Sequence, residues 1–393
     1  MSKKIIYLDN SATTQTRKEV LKETQKYFLK EFGNPSSFHS KGFEAKKAIN
    51  KSRETIARIL GCEKEEIIFT GSGTESINLA IKGIAFRELL KGRKGHFITQ
   101  KTEHDAVLES MHWLEKLGFE VTYINVDENG LIKLGELEKK IRNDTLLVSI
   151  MYANNEIGTI QPIKKISEIC KNKNILFHTD ACQGAEYLNL NVKELGIDLM
   201  TINGSKLYGF KGTGLLYKKK KVEIEPIIHG GKHEFGLRAG TENVTGIIAI
   251  AKALEIAEKE KKNETKRLEK LRDYMIKRIL KEINKTKLNG SKKRLPNNVN
   301  ISFYGVEGES ILLMLNEKRI MVSTGSACSS QSLEPSHVLM AIGLPHELSH
   351  GSIRFSLGKT TTKKDVDYTI TELKKIIKKL RKMSPVWEKE LNK

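Results

Sequence analysis

The sequence predicts an α/β protein with a mostly parallel sheet, followed by a second, smaller α+β domain. From about residue 66, short apolar runs alternate with longer amphipathic stretches, and no internal repeat or low-complexity tract interrupts the order. Strands separated by helices in this way form a parallel sheet that helices cover on both faces. With 393 residues, 38% of them hydrophobic, the chain is long enough to form two domains.

The first part of the chain carries the predicted strands of the large sheet. We predict strands at 66–70, 96–99, 121–126, 146–152 and 175–180, and helices at 74–90, 104–117 and 162–171. Pro162 suits a first helical turn, where its missing N–H removes no helical hydrogen bond. Ligands of such sheets bind at the carboxyl ends of the strands, so the polar residues there are the candidates for a site.

The pattern changes after two long Lys/Glu-rich helices, predicted at 244–257 and 264–283. Beyond them we predict strands at 299–303, 320–323 and 352–356, interleaved with helices at 308–316, 334–342 and 362–382. This mixture indicates a smaller α+β domain that begins near residue 260.

The formal net charge of +20 comes mostly from lysines on the predicted helices. These lysines alternate with Glu and apolar residues, which is typical of solvated helix faces and not of a compact nucleic-acid patch. The four cysteines form no CxxC pair, the N-terminus lacks the apolar run of a signal peptide, and no stretch is apolar enough to span a membrane. We therefore expect a cytoplasmic protein that binds neither nucleic acid nor membrane, although its basic surface could attract acidic protein partners.

Two residues suggest cofactor chemistry together with a thiol. Cys328 lies in a run of small residues, 321–330, that favours a loop in which the thiol is exposed and movable. Lys206 follows a short apolar run and precedes a Gly-rich turn, where partial burial lowers the pKa of an amine that attacks an aldehyde. Each feature alone also fits an inert cysteine or a solvated turn lysine.

Further candidates stand at predicted strand ends. The turn 69–76, with Gly73 and Thr74, could hold a phosphate at the start of a helix or be only a tight turn. Asp180 could keep a pyridinium nitrogen protonated or cap a helix, and Gln183 could reach the ring oxygen. His104 could stack on a ring or move protons, or simply cap its helix.

Two more positions point to a bound amino acid. The cluster 154–156, with Asn155, is polar and follows a strand. Arg354 alternates with apolar residues on a predicted strand, where it could grip a substrate carboxylate or be an ordinary surface charge.

These pieces occur in the order found in a known family. The runs 7–14 (YLDNSATT), 33–39 (GNPSSFH), 154–158 (NNEIG), 237–241 (LRAGT) and 384–387 (SPVW) resemble the cysteine desulfurases of the class-V aminotransferase-like family, which depend on pyridoxal 5′-phosphate (PLP). That family supplies sulfur for iron–sulfur clusters and tRNA thiolation. The residues after Cys328 look like the long loop of the members that feed scaffold proteins.

The resemblance implies a homodimer of PLP fold type I, with a mostly parallel seven-stranded sheet. It implies an N-terminal segment, 1–15, that packs with the small domain, a large PLP-binding domain, 16–260, and a small domain, 261–393, that carries the Cys328 loop. L-cysteine would be the substrate, and an iron–sulfur scaffold or a tRNA-thiolation enzyme would accept the sulfur. No resident metal is implied, although Cys328 could transiently contact a nascent iron–sulfur cluster.

The resemblance also implies a role for each site residue. Lys206 forms the Schiff base with PLP, His104 lies over the ring, and Cys328 attacks the sulfur. Asp180 faces the pyridine nitrogen, while Asn155 and Gln183 lie near the ring hydroxyl. Arg354 and Asn155 bind the substrate. The remaining cofactor contacts, mainly to the phosphate, are Gly73, Thr74, Asn203, Ser205 and Thr241, the last from the partner subunit.

The sequence departs from the family pattern at three places. Ser205 stands where the family usually has histidine, and Asn203 stands where a hydroxyl residue is common. Both can still donate a hydrogen bond, so we expect phosphate binding to be weakened or rearranged but kept. Only six residues follow Trp387, which makes scaffold docking by the tail doubtful.

Three alternative functions remain open from the sequence. A selenocysteine lyase would use nearly the same residues but depend less on Cys328. A PLP-dependent aminotransferase or decarboxylase would leave Cys328 idle. A non-catalytic nucleic-acid-binding protein would bind in a salt-dependent way and carry no cofactor.

Overall fold

The computed structural model describes residues 4–325, 335–385 and 387. The strands are β1 (Ile6–Tyr7), β2 (Ile67–Thr70), β3 (His96–Gln100), β4 (Glu120–Ile124), β5 (Thr145–Ser149), β6 (Leu176–Asp180), β7 (Leu199–Asn203), β8 (Gly214–Lys218), β9 (Thr286–Leu288), β10 (Asn298–Phe303), β11 (Ile320–Met321) and β12 (Ser352–Ser356).

The helices alternate with these strands along most of the chain. They are α1 (Lys18–Thr24), α2 (Lys26–Leu29), α3 (Ser40–Leu60), α4 (Gly73–Leu90), α5 (Asp105–Lys116), α6 (Leu134–Lys140), α7 (Ile163–Asn172), α8 (Val192–Leu195), α9 (Val244–Glu282), α10 (Gly308–Glu317), α11 (His337–Ala341), α12 (His346–His350) and α13 (Lys363–Arg381). None of the helices in the described part of the chain combines the length and the apolar character that crossing a membrane requires.

The large sheet has seven strands in the order β2-β8-β7-β6-β5-β3-β4. The pairs among β7, β6, β5, β3 and β4 are parallel, and β8 is antiparallel to both of its neighbours. The predicted α/β fold with a mostly parallel seven-stranded sheet is therefore confirmed. Strand β8 was not predicted: Gly214–Lys218 is a buried five-residue run without polar alternation, and a lysine-rich segment follows it directly.

Successive residues of the large sheet pack into cores on opposite faces. Phe69 and Ile98 belong to one core, to which α3, α7 and the first half of α9 contribute, whereas Ile68 and Phe97 belong to the other, beneath α4 and α5. Side chains of a strand alternate between the two sides of a sheet, so a strand buried on both faces is mostly apolar. This explains the short apolar runs of these strands, while a buried polar residue among them, His178, is hydrogen-bonded within the sheet.

A second, three-stranded antiparallel sheet has the order β12-β10-β9 and carries α10 and α13. The short parallel pair of β1 with β11 adds the N-terminal residues Ile6 and Leu8 to the same core. The two helices predicted at 244–257 and 264–283 are wrong as separate elements. They form the single helix α9, because the intervening Lys/Glu residues contain no helix-breaking Pro or Gly.

Candidate active site

A cavity of about 520 Å³ lies at the carboxyl ends of β3, β5, β6 and β7. It has 21 lining residues: Ser11, Ala12, Gly73, Thr74, Ile77, Glu103, His104, Asp105, Met151, Ala153, Asn155, Glu156, Asp180, Cys182, Gln183, Asn203, Lys206, Gly325, Pro335, His337 and Arg354. The carboxyl ends of parallel strands are where open α/β sheets bind ligands. The structure thus brings nine of the predicted site residues to one cavity, from Gly73 and Thr74 at one end to Arg354 at the other.

The start of α4 forms a cradle for an anion. Ser72 caps the helix by accepting a hydrogen bond from the backbone N–H of Glu75 at 3.1 Å, and Gly73 and Thr74 open the first turn on the cavity. A Cβ at Gly73 would lie only 2.9 Å from the Cys182 Sγ, so a larger residue would fill this space. The N–H groups of a first helical turn attract negative charge, and α4 is 18 residues long.

Asn203 and Ser205 form a linked pair below this cradle. The backbone N–H and the hydroxyl of Ser205 both donate to the Asn203 Oδ1, at 3.0 and 3.1 Å. Asn203 lines the cavity, while Ser205 lies behind it. The Nδ2 of Asn203 makes no hydrogen bond within the described residues, so it can donate to a phosphate.

Lys206 ends the short 3-10 turn that follows β7, so a rigid central strand carries the amine to the cavity. Its Nζ donates a hydrogen bond to the Ala12 backbone carbonyl oxygen. Through this contact the N-terminal segment reaches the same cavity. A primary amine held in a partly enclosed site has the placement that attack on an aldehyde requires.

Asp180 ends β6, and its side chain is buried. Its Oδ1 accepts the backbone N–H of Cys182 at 2.9 Å, and in the described part of the chain no Lys or Arg forms a salt bridge with it. A buried carboxylate without a cationic partner is costly unless a ligand supplies one. A protonated pyridine nitrogen is a cation of the right kind.

Burial shifts the pKa values of two side chains near Asp180. Burial raises the pKa of the Cys182 thiol well above its ordinary value, and Asp180 raises it further. Burial lowers the pKa of His178 to about 4, so this imidazole stays neutral between the hydroxyls of Ser149 and Thr201, 2.8 and 3.1 Å away. Cys182 is therefore a poor source of thiolate. His178 has a structural role, because its ring joins hydroxyl groups of the two neighbouring strands.

His104 is the N-cap of α5. Its Nδ1 accepts the backbone N–H of Ala106 at 3.0 Å, so a neutral ring carries its proton on Nε2. The capping role and the place in the cavity coexist, because the cap orients the ring that lines the cavity.

Arg354 is 2% exposed and comes from the central part of β12. Its guanidinium donates from Nη2 to the Asp9 Oδ1 at 3.0 Å and from Nη1 to the Asn155 carbonyl at 3.2 Å. The buried Nε has no partner within the described residues. Nearby, Gln183 donates from Nε2 to the Ser11 carbonyl at 2.9 Å. An arginine with unused donors in a cavity can bind a carboxylate.

Two predicted residues lie elsewhere, and one cannot be placed. Ser205 is hydrogen-bonded to Asn203 but does not line the cavity. Thr241 is exposed, lies in the segment that follows the 3-10 turn 234–236, and is also outside the cavity. Cys328 lies outside the described residues. The residues on either side of that gap, Gly325 and Pro335, both line the cavity.

Four titratable residues of the cavity were given no role from the sequence, although one of them belongs to the polar cluster 154–156: Glu103, Asp105, Glu156 and His337. Glu103 and Glu156 are fully buried, and burial raises the pKa of both carboxyls. The Ser336 hydroxyl donates to the Glu156 Oε2 at 2.5 Å, and the His337 Nε2 lies 2.9 Å from the Glu103 carbonyl oxygen. Glu103 and Glu156 immediately adjoin His104 and Asn155, so their sequence position beside predicted site residues was the available signal.

The residues present fit PLP. An anion cradle, a strand-end lysine, a carboxylate without a cationic partner and an arginine with a spare donor share one cavity of about 520 Å³. Each group matches one chemical feature of PLP or of an amino acid bound to it. In the described residues no cluster of three or more His, Cys, Asp or Glu side chains is arranged to hold a metal ion.

Comparisons with known proteins agree with this chemistry. The aminotransferase class-V family model matches residues 6–369. A curated cysteine desulfurase IscS from Dictyoglomus turgidum is 56% identical over 98% of this chain and 97% of its own. The solved structure of a NifS-like protein superimposes with a TM-score of 0.89 at 39% identity, over 95% of this chain and all of that one. A structure titled SspA in complex with cysteine gives a TM-score of 0.79 at 36% identity, over 90% and 98% of the two chains. The chain therefore belongs to the class-V aminotransferase family and, within it, to the PLP-dependent cysteine desulfurases.

Proposed function

We propose that this protein is the PLP-dependent cysteine desulfurase that its family membership indicates, and that it converts L-cysteine to L-alanine while passing the sulfur to Cys328 as a persulfide. The observation that carries the proposal is the cavity itself. Lys206, the buried Asp180 carboxylate, which forms no salt bridge with a Lys or Arg of the described residues, and the buried Arg354 all line it. Asp180 ends β6, Lys206 follows β7 and Arg354 lies in the middle of β12, and the three groups match the pyridine nitrogen, the aldehyde and the substrate carboxylate in turn.

PLP, when bound, supplies an electron sink for the negative charge that develops at the substrate Cα. Gly73, Thr74 and Asn203 hold its phosphate, and we propose that Thr241 of the partner subunit adds a contact. Asp180 keeps the pyridine nitrogen protonated. His104, Asn155 and Gln183 orient the ring, and Ser205 supports Asn203 through the two hydrogen bonds to its Oδ1.

Arg354 binds the carboxylate of L-cysteine, with Asn155 beside it. Lys206 takes the proton from Cα and returns one when alanine forms. His104 can hold a proton at Nε2, because its Nδ1 is occupied by the Ala106 N–H. The Cys328 thiolate attacks the substrate sulfur, so an S–S bond forms as the C–S bond breaks and its electron pair stays with the organic fragment.

The finer assignments are also proposals. We propose a cytoplasmic homodimer, and the three described cysteines, which are free thiols, support a reducing compartment. The net charge of +20 supports an acidic sulfur acceptor, either an iron–sulfur scaffold or a tRNA-thiolation enzyme. The domain division at residue 260 is supported by α9, since Leu254 packs in the core of the large sheet and Leu268 in that of the small sheet.

The decisive experiment compares two thiols of this chain. L-cysteine is added to the purified holoenzyme, to Cys328→Ala and to Cys182→Ser, and alanine and protein-bound persulfide are quantified. We expect persulfide in the wild type and in Cys182→Ser, because the raised pKa of the Cys182 thiol makes it a poor nucleophile. Only Cys328→Ala should lose it.

Two results would contradict the proposal. Persulfide that persists in Cys328→Ala would place the nucleophile elsewhere. Alanine release from selenocysteine that survives Cys328→Ala, without turnover of cysteine, would instead identify a selenocysteine lyase.

A further inference from the structure

A pair of histidines stands on α12, outside the cavity. His346 and His350 begin and end this five-residue helix, so they are four residues apart and lie on the same helical face. Their ring centroids are 4.4 Å apart, and their Nε2 atoms approach to 3.4 Å. The two nitrogens are closer than the ring centres, so the rings converge through their Nε2 atoms.

The separation of these nitrogens suits a shared metal ion. Imidazole nitrogens bind Zn²⁺ at about 2.0–2.1 Å, and two nitrogens at that distance and 3.4 Å apart subtend about 110° at the metal. That angle is close to the tetrahedral value. The rings can therefore take up one cation without a change of backbone.

The helix is held in place by its other face. Ser349 is buried with its hydroxyl 3.6 Å from the Met340 Sδ, and Leu348 packs against the apolar cluster that includes Leu339 of α11. The His350 carbonyl packs closely against Gly308 at the start of α10, where an added Cβ would be 2.8 Å away. Because packing fixes this backbone, the histidine pair needs little reorganisation to bind an ion.

From these observations we propose that His346 and His350 form a binding site for a divalent transition-metal cation of the zinc, nickel or copper class. Imidazole is a preferred ligand of these metals, whereas Mg²⁺ and Ca²⁺ prefer oxygen. Across residues 4–325, 335–385 and 387 no third His, Cys, Asp or Glu joins such a group, so water completes the coordination. The site is a two-ligand surface clamp that is separate from the sulfur chemistry.

The test uses Ni²⁺ and the chelator-treated holoenzyme in a Cys328→Ala background, which removes a competing thiol. Calorimetric titration with Ni²⁺ is compared for this background and for the same protein with His346→Ala, His350→Ala or His112→Ala. His112 is the matched control, because it is half exposed and faces Glu109, not a second histidine.

We expect His346→Ala and His350→Ala each to lower the affinity for one equivalent of Ni²⁺ by more than about tenfold. Even the loss of a residue that only hydrogen-bonds a metal ligand lowers metal affinity by that much. His112→Ala should bind Ni²⁺ like the background. Unchanged Ni²⁺ affinity in both pair variants, or an equal loss in His112→Ala, would overturn the proposal. PLP absorbance recorded on the same samples reports on the proposed function independently.

Discussion

Two buried arginines, Arg53 and Arg354, differ in what the chain does with their charge. Arg53 is 5% exposed and makes a bidentate pair with Glu234, with nitrogen–oxygen distances of 2.6 and 3.0 Å. It also lies over the ring of Phe69, 4.7 Å from its centroid. Arg354 is 2% exposed, has one contact to a carboxylate, that of Asp9, and leaves its Nε without a partner in the described residues.

The number of partners inside the chain distinguishes a buried charge with a structural role from one that is available to bind a ligand. A buried ion that is paired inside the chain has its charge balanced by the fold, and removal of its partner is strongly destabilising. A buried ion with donors to spare stays costly until something else binds. The hydrogen-bond and ring partners of Arg53 in the described residues lie outside the cavity, whereas Arg354 lines it beside Asn155.

The largest effect on stability is expected from Arg53→Ala. It leaves Glu234 buried without its cation and should lower the free energy of unfolding by about 3–5 kcal/mol. Chemical denaturation of the holoenzyme measures it, and the KM for L-cysteine of the remaining folded protein should not change. A normal unfolding midpoint, or a raised KM, would remove the distinction between the two arginines.

Arg354→Ala should instead act on substrate binding. Loss of a charge-assisted hydrogen bond to the substrate carboxylate costs about 1.5–3 kcal/mol, which is a roughly 10- to 150-fold rise in the KM for L-cysteine. Steady-state kinetics separate KM from kcat, and the visible absorbance of bound PLP should persist. An unchanged KM would take Arg354 out of the carboxylate role.

Glu186 extends the comparison to a buried carboxyl outside the cavity. Burial raises its pKa to about 8, although Arg17 and Lys359 oppose the shift. A glutamate with a raised folded-state pKa stabilises the fold fully below the unfolded-state value near 4.5 and loses that contribution as the pH rises towards 8. The neutral variant Glu186→Gln should lack this loss.

We therefore expect wild-type melting temperatures to fall relative to those of Glu186→Gln between pH 5 and pH 8, by an amount equivalent to about 2–4 kcal/mol. Thermal unfolding of both proteins across this range measures the gap. If the difference in melting temperature between the two proteins stayed constant from pH 5 to pH 8, the pKa of Glu186 would not be raised in the folded protein.

Ser205→His should give the smallest effect. The substitution restores the residue that the family usually carries before the cofactor lysine, and a second donor near Asn203 should tighten PLP binding by about 0.5–1.5 kcal/mol, or up to about tenfold. Fluorescence titration of the apoprotein with PLP checks this. An unchanged PLP affinity would show that Ser205 supports Asn203 equally well.

The sequence predicted the large sheet and most of the cavity because both depend on local order. Strand ends follow apolar runs, and parallel strands bring those ends to one edge, so Asp180 and Lys206 could be expected near each other. The histidine pair of α12 was not predicted, since its short helix has little sequence signal of its own.

Other features depend on contacts that span the chain. Glu156 meets Ser336 across 180 residues, and the Arg354 donor meets Asp9 across 345. No local pattern contains such partners. The continuity of α9 was missed for the opposite reason: its polar middle resembles a break, although no residue there opposes a helix.

The binding of PLP and its amino-acid substrate by Lys206 and the other cavity groups is tested most directly by visible absorbance spectra. Spectra of purified wild type and Lys206→Ala are recorded before and after addition of L-cysteine, with alanine measured in parallel. We expect the wild type to show the absorbance of lysine-bound PLP, which changes on addition of L-cysteine while alanine forms. Lys206→Ala should lack the lysine-bound absorbance and lose about 10³-fold or more in turnover. A variant that kept both the absorbance and the turnover would contradict the account.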